Sequence, residues 1–315
     1  MIVFLSGATG FVGSALCRRL STDGIRVRAA LRTFQQDFPA EQVIIPGIDP
    51  QTDWADALES VEAVVHLAAH VHVMKSGAED ERLFNEVNVA GTRHLAESAA
   101  ASGVRRFIYL STVKVHGEQT EEQPFSEQSP FSPQDAYSRS KAEAEAILKR
   151  IGQASSMEIV IIRPPLVYGP GVKANFLQLL KLVHRRIPLP LGAIHNARSL
   201  IYLDNLVDAV MTCIQHPSAA NEAFLVSDGE DLSTADLVRM IAKAMGVRVF
   251  LPPVPPDLLR FGGKMLGKGD IVGRLTESLQ VDSSFIQNKL GWIPPHTAEE
   301  GLRKTVQWFL RSSGR

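Results

Sequence analysis

Apolar residues along this chain fall in short, nearly unbroken runs at residues 2–5, 27–31, 43–45, 63–67, 107–110 and 159–162. Runs without alternating polar positions suit strands buried on both faces of a parallel sheet. Helical periodicity fills the intervals at 11–20, 85–102 and 137–152. The first half therefore alternates strand with helix, the βαβ pattern of a doubly wound α/β fold. After Pro164-Pro165 the rhythm changes. Glycine and proline cluster at 169–171, 187–192 and 252–256, and helical stretches occur at 176–186 and 233–245. The expected division is a first domain over 1–165 and a smaller lobe over 166–315, with residues 198–227, carrying a helix at 205–215 and a strand at 223–226, returning to the first. Internal repeats and low-complexity segments are lacking.

A chain of 315 residues, 45% hydrophobic and 21% charged, holds enough apolar material for a large core and excludes disorder or a fibre. Thirty-three basic residues against thirty-four acidic ones give a net charge of -1. No chain-wide field for nucleic acid or an anionic membrane results, so binding has to come from local sites. Cys17 and Cys213 are too few for a disulfide framework and lack zinc-site spacing, which predicts free thiols and no metal. The N-terminal apolar run enters a glycine motif with no basic region or cleavage site. Apolar stretches fall short of the roughly 20 residues of a membrane span. A cytoplasmic protein without a span is expected.

Gly7-Ala8-Thr9-Gly10-Phe11-Val12-Gly13 follows the first strand directly and opens the first helix. Gly7 permits a tight turn, Gly10 lets backbone approach a pyrophosphate and Gly13 lets the helix pack closely, while the helix N-terminus attracts phosphate. This reads as a dinucleotide site on a Rossmann fold. The second strand runs from Val27 to Arg32 and ends without the acidic residue that would select the 2′-hydroxyl of NAD. A guanidinium there fits a 2′-phosphate. NADP is the expected coenzyme and NAD the alternative, with Arg32 as the phosphate ligand and Arg28 or Thr33 as lesser candidates.

Tyr137 and Lys141 stand four residues apart, on one face of a predicted helix. A cation beside a phenol lowers its pKa from about 10 towards working pH. Tyr137 is therefore expected to exchange a proton with a carbonyl or alcohol, and Lys141 to hold the nicotinamide ribose as well.

The G-x-x-G-x-x-G spacing with Y-x-x-x-K downstream resembles the short-chain dehydrogenase/reductase superfamily. Other segments resemble its extended branch: His66-Leu67-Ala68-Ala69, Asn88-Val89-Ala90-Gly91-Thr92, the stretch from Leu110 to Gly117, and Arg163-Pro164-Pro165-Leu166-Val167-Tyr168-Gly169-Pro170-Gly171. The resemblance runs from Met1 to about Trp308. It implies that Thr9, Phe11, Val12, Ile48, Leu67, Ala68, Ala69 and Pro164 join the glycines in lining the coenzyme. His66 has an equally good reading as a hydrogen-bonded core histidine and receives no catalytic role. Thr112, at the family's spacing from Gly117 and Tyr137, is implied as the hydroxyl that bonds the substrate oxygen, with Ser111 as its neighbour or substitute. His116 stands where the family usually has tyrosine, a change expected to act on cleft shape.

Val113 and Lys114 occupy positions where the family's nucleotide-sugar 4,6-dehydratases carry Asp-Glu, which disfavours dehydration. Lys114 is expected beside the sugar pocket, either binding a substrate oxygen or standing as a solvated lysine. The resemblance further implies Asn175, Arg198 and, more weakly, Arg274 as ligands for the diphosphate of a UDP-sugar, which bidentate donors suit. Asp282 and Trp292 look structural, and residues 250–266 either cap the site or form a partner surface. A homodimer through the helices at 85–102 and 137–152 is implied by analogy.

The whole pattern is similar to bacterial polysaccharide-pathway enzymes that reduce the 4-keto group of a UDP-4-keto-6-deoxy-N-acetylhexosamine. Hydride would pass from NADPH to carbon four while Tyr137 protonates the oxygen. The closest alternative is a UDP-hexose 4-epimerase, which uses the same Tyr137, Lys141 and Thr112 with retained NAD. Asn175 and Arg198 argue against a reductase of non-sugar carbonyls, and the intact Tyr137 and Lys141 argue against a non-catalytic NADP sensor.

Overall fold

Each apolar run of the first half becomes a strand: β1 (Ile2–Ser6), β2 (Arg26–Leu31), β3 (Glu41–Ile44), β4 (Ala63–His66), β5 (Arg106–Leu110) and β6 (Glu158–Arg163). In the computed structural model, which describes residues 1–71, 78–267 and 269–313, β1 and β4 are buried at every position. Burial on both faces is why these strands show no polar alternation. The second half adds β7 (Leu166–Tyr168), β8 (Arg198–Tyr202), β9 (Ala223–Leu225) and β10 (Asp231–Leu232). Among the described residues the strands form a seven-stranded sheet in the order β3-β2-β1-β4-β5-β6-β9 and a three-stranded sheet in the order β10-β8-β7. All pairings in the larger sheet are parallel. The strand order reverses between β1 and β4, which opens a crevice at the carboxyl end of the sheet.

The helices are α1 (Phe11–Thr22), α2 (Ala55–Leu58), α3 (Ala78–Leu83), α4 (Thr92–Ala101), α5 (Ala136–Ala154), α6 (Ala174–His184), α7 (Leu203–Gln215), α8 (Thr234–Met245), α9 (Pro256–Met265), α10 (Gly269–Thr276), α11 (Ser284–Leu290) and α12 (Ala298–Ser312). One face of the large sheet is covered by α1, α7 and α11, through Leu16, Leu20, Leu206, Val210 and Ile286. The other is covered by α4 and α5, through Leu95, Ala99, Ala144 and Leu148. A third cluster surrounds the small sheet, where α6, α8 and α12 contribute Leu180, Val238, Ile241, Leu302 and Val306. None of the helices is long and apolar enough to cross a membrane, among the described residues.

Periodicity predicts one helix over 85–102, but the chain forms a π-helical segment, Phe84–Gly91, that passes into α4. An extra residue per turn barely alters the apolar pattern, so the sequence does not announce it. At Gly91 a Cβ would lie 2.8 Å from the Ile48 carbonyl oxygen, so the loop after β3 rests on this segment.

Two glycines set the entrance to α1. Gly7 has φ +72, and a Cβ there would lie 2.7 Å from the Ala68 nitrogen. At Gly13 a Cβ would lie 2.0 Å from the Gly7 carbonyl oxygen, which is backbone and cannot swing away. Replacing Gly13 by alanine therefore has to displace α1 from β1. Gly13→Ala is expected to cost at least about 1–3 kcal/mol in denaturant unfolding, and unchanged stability would show that α1 is seated less tightly than this contact requires.

Candidate active site

The glycine turn, the segment after β4 and the start of α5 meet at the crevice. Gly10 caps α1 with no side-chain hydrogen bond, so the amides of the first turn, those of Phe11, Val12 and Gly13, face the crevice without a side-chain acceptor. Such an uncapped helix start on a glycine turn suits a diphosphate. Leu67, Ala68 and Ala69 are half-buried beside Gly7, and Ile48 is half-buried against Gly91. Phe11 reaches the other way, packing against the third cluster near Gly171. Pro164 is buried, and its carbonyl accepts from the Val113 amide at 3.0 Å. These residues fit a dinucleotide stretched across the carboxyl end of β1 and β4.

His66 is a satisfied core histidine. Its ring bonds Ser6 Oγ at 2.6 Å and Thr92 Oγ1 at 2.9 Å. Burial, and then the Lys141 cation, lower its pKa to about 3, so it stays neutral. Asn88 ties the crevice to α5: it bonds the His70 amide and carbonyl at 2.7 and 3.0 Å and donates to Ser140 Oγ at 3.0 Å. Sequence reasoning placed Asn88 in a motif without assigning it this linkage.

Helix α5 starts from a capping box in which Asp135 accepts from the Ser138 amide. The box sets the rotation that turns Tyr137 and Lys141 inward. Lys141 is buried, donates from Nζ to the Leu110 carbonyl at 2.8 Å, and lies over the Tyr109 ring at 4.4 Å and the Tyr137 ring at 5.9 Å. Its other ammonium donors have no protein acceptor among the described residues, which leaves them for a ribose. Thr112, at the end of β5, is buried and accepts from the Lys114 amide at 3.3 Å, so its hydroxyl proton is available to a substrate oxygen.

The simple expectation of a lysine-lowered phenol is opposed by burial. Burial, reinforced by the Asp135 carboxylate, pushes the Tyr137 phenol up, while burial, opposed by Glu145, lowers Lys141 to about 7. Desolvation is the largest effect on both groups.

Ser111 is corrected from a substrate ligand to a structural residue. It is buried, and its hydroxyl donates to Glu145 Oε1 at 2.5 Å, away from the crevice. The same carboxylate pairs with Arg163 at 2.6 Å, and Arg163 donates to His116 Nε2 at 3.1 Å. Sequence reasoning missed Glu145, although Tyr137, Lys141 and Glu145 recur every four residues along one face of α5. Lys114 is 29% exposed, and its Nζ pairs with Glu118 at 2.7 Å and Asp135 at 3.1 Å, so it is engaged by two carboxylates.

At the end of β2, Arg32 is exposed, as is Thr33. Arg28 is removed as a phosphate candidate, because its guanidinium is spent on Glu41 at 2.7 Å and on the carbonyls of Asp56, Ala57 and Glu59. On the substrate side, Arg198 donates to the Glu277 carbonyl at 2.9 Å, and Arg274 lies close enough to repel it. Glu118 lies close enough to attract it, which sets the arginine pair beside the Lys114 network. Asn175 is exposed in the first turn of α6, with no bond to either arginine among the described residues. Trp292 donates to Asp208 at 3.1 Å and Asp282 accepts from the Ser284 amide, both structural contacts.

Because an uncapped helix faces a half-buried tyrosine and a buried lysine across the point where strand order reverses, the fold defines a dinucleotide-dependent enzyme of the extended short-chain dehydrogenase/reductase type. More narrowly, the chain belongs to the NAD dependent epimerase/dehydratase family, whose sequence profile matches residues 3–227. It is 47% identical over 318 residues to a UDP-glucose 4-epimerase of Vibrio cholerae, covering 99% of this chain and 97% of that protein. A UDP-glucose 4-epimerase of Mycolicibacterium smegmatis is 30% identical over 332 residues, covering 99% of this chain and all of that one (100%). The crystal structure of a UDP-glucuronic acid 4-epimerase from Bacillus cereus in complex with NAD has the same fold, with a TM-score of 0.80 at 20% identity over 99% of both chains.

Two measurements probe this site. Glu145→Gln leaves Arg163 buried without its counter-ion and is expected to cost about 3–5 kcal/mol in denaturant unfolding, where a loss under 1 kcal/mol, roughly that of an exposed pair, would place the pair in solvent. Lys141 sits at about 7 in the folded chain against an ordinary 10.5. Between those values the unfolded chain holds a proton that the folded one lacks, so stability rises with pH, and the penalty is fully present below about 7. The melting temperature of the ligand-free wild type is thus expected to rise relative to Lys141→Met from about pH 7 to about pH 9. A pH-independent gap would mean that the lysine keeps its proton.

Proposed function

We propose that this chain is a UDP-hexose 4-epimerase that retains NAD. The observation that carries this reading is that α5, which bears Tyr137 and Lys141, meets the end of β5 beside Thr112 through the Lys141–Leu110 bond, on a chain that aligns almost end to end with a 47% identical relative named as a UDP-glucose 4-epimerase. Residues Gly7, Thr9, Gly10, Phe11, Val12, Ile48, Leu67, Ala68, Ala69 and Pro164 would hold the coenzyme. Bound there, the coenzyme would supply reversible hydride exchange at carbon four.

Tyr137 takes the proton of the 4-hydroxyl and gives it back to the 4-keto oxygen. Thr112 donates a hydrogen bond to the same oxygen and fixes its position. Lys141 anchors the ribose with its remaining donors and, when protonated, favours the Tyr137 phenolate against the burial that opposes it. Arg198 and Arg274 grip the diphosphate rather than the hexose. Anchoring there leaves the sugar ring free to turn and present its other face.

A second reading, NADPH-dependent reduction of a UDP-4-keto-6-deoxy-N-acetylhexosamine, is favoured by exposed Arg32 and by the lack of an acidic residue at the end of β2. The readings separate on coenzyme exchange. Purified protein without added coenzyme is expected to interconvert UDP-galactose and UDP-glucose and to release NAD on denaturation. Tyr137→Phe is expected to lose about 10²–10⁴-fold in kcat while keeping its coenzyme. Stoichiometric NADPH consumption with the keto sugar, and no interconversion, would replace the epimerase by the reductase. Full activity in Tyr137→Phe would remove the proton-transfer role from both.

A further inference from the structure

Residues 250–271 leave a row of large apolar side chains in solvent. Phe250 is 67% exposed, Leu258 61%, Phe261 63%, Met265 75%, Leu266 75% and Ile271 51%. Single exposed apolar residues are ordinary, but a contiguous set marks an interaction surface. Leu258, Phe261 and Met265 recur at i, i+3 and i+7 of α9, so they share one face. The opposite face is already occupied: Gly263 is buried and Leu259 packs against the core of the small sheet. Helix α10 packs on α9 and adds Ile271.

The flanks of this row are cationic. Arg248, Arg260, Lys264 and Arg274 are all exposed. From 248 to 274 the sequence holds five basic residues and two acidic ones, in a chain whose net charge is -1. The near-neutral total therefore conceals a local basic surface.

Exposure and charge together select the occupant. At such exposure the side chains are available to a partner, and the cations beside them favour an anionic one. A bilayer interface offers apolar depth for a row of leucine, phenylalanine and methionine, and anionic headgroups for the cations beside it. We infer that α9 and α10 form a docking surface for an anionic membrane, with the row seated at the boundary between headgroups and acyl chains. Arg274, in the last turn of α10, neighbours Arg198, so the docking surface and the candidate diphosphate site share one helix.

Sedimentation of the full chain with phosphatidylglycerol–phosphatidylcholine vesicles, against vesicles of phosphatidylcholine alone, tests this. Binding is expected to favour the anionic vesicles and to weaken as salt rises. The double variant Phe261→Ser/Met265→Ser is expected to bind more than about tenfold more weakly, and Arg260→Glu/Lys264→Glu to lose the preference for phosphatidylglycerol, each with an unchanged melting temperature. Failure of the wild type to bind anionic vesicles, or equal binding by wild type and the serine variant, would overturn the proposal. A dimer that the serine variant converts to monomer, without vesicle binding by the wild type, would give the face to a second copy of the chain and overturn it equally. Should a variant fail to fold, the wild type's lipid preference and salt response decide alone, and indifference to phosphatidylglycerol sinks the idea.

Discussion

The buried ion pair between Glu145 and Arg163 holds the reacting groups in register. It joins α5 to β6, and the same carboxylate accepts from Ser111 at the end of β5. Three elements that carry Tyr137 and Lys141, Pro164, and Thr112 are thereby locked to one another by a single carboxylate. Burying two charges is expensive, and a pair of this kind adds little net stability over an apolar replacement. What it supplies here is geometry. Glu145 lies one turn beyond Lys141, so a rotation of α5 that moved the lysine from the Leu110 carbonyl would also break the pair.

Burial also sets the electrostatics of the site. Lys141 is buried and Tyr137 half-buried beside it, and desolvation opposes the charged form of each. The simple argument that a lysine lowers a neighbouring phenol considers only the Coulomb attraction. Here the desolvation of both partners is the larger effect.

The two lobes divide the recognition. The large sheet offers an uncapped helix and a glycine turn, features that accept any dinucleotide phosphate. The small sheet brings Arg198, and α10 brings Arg274, a pair suited to a second diphosphate. The two proposed readings share this frame and give the same roles to Tyr137, Lys141 and Thr112. They differ in whether the coenzyme leaves after each turnover.

Local patterns in the chain carried the architecture. Strands buried on both faces appear as unbroken apolar runs, and Gly7 and Gly13 stand where only a glycine avoids backbone collision. Tyr137 and Lys141 were legible because one helical turn brings neighbours in sequence together. Beyond these, the tertiary structure decided which polar residues remain free. It turned Ser111 towards Glu145, tied Lys114 to Glu118 and Asp135, and spent Arg28 on Glu41 and three carbonyls, while Thr112 and Arg32 kept their groups available. It also set Leu258, Phe261 and Met265 outside the core, although their spacing would equally suit a buried helix. The physical reason is common to all of these: periodicity reports the burial a segment needs, but a charge or hydroxyl is satisfied by partners that lie far away in the chain and meet it only when the elements pack.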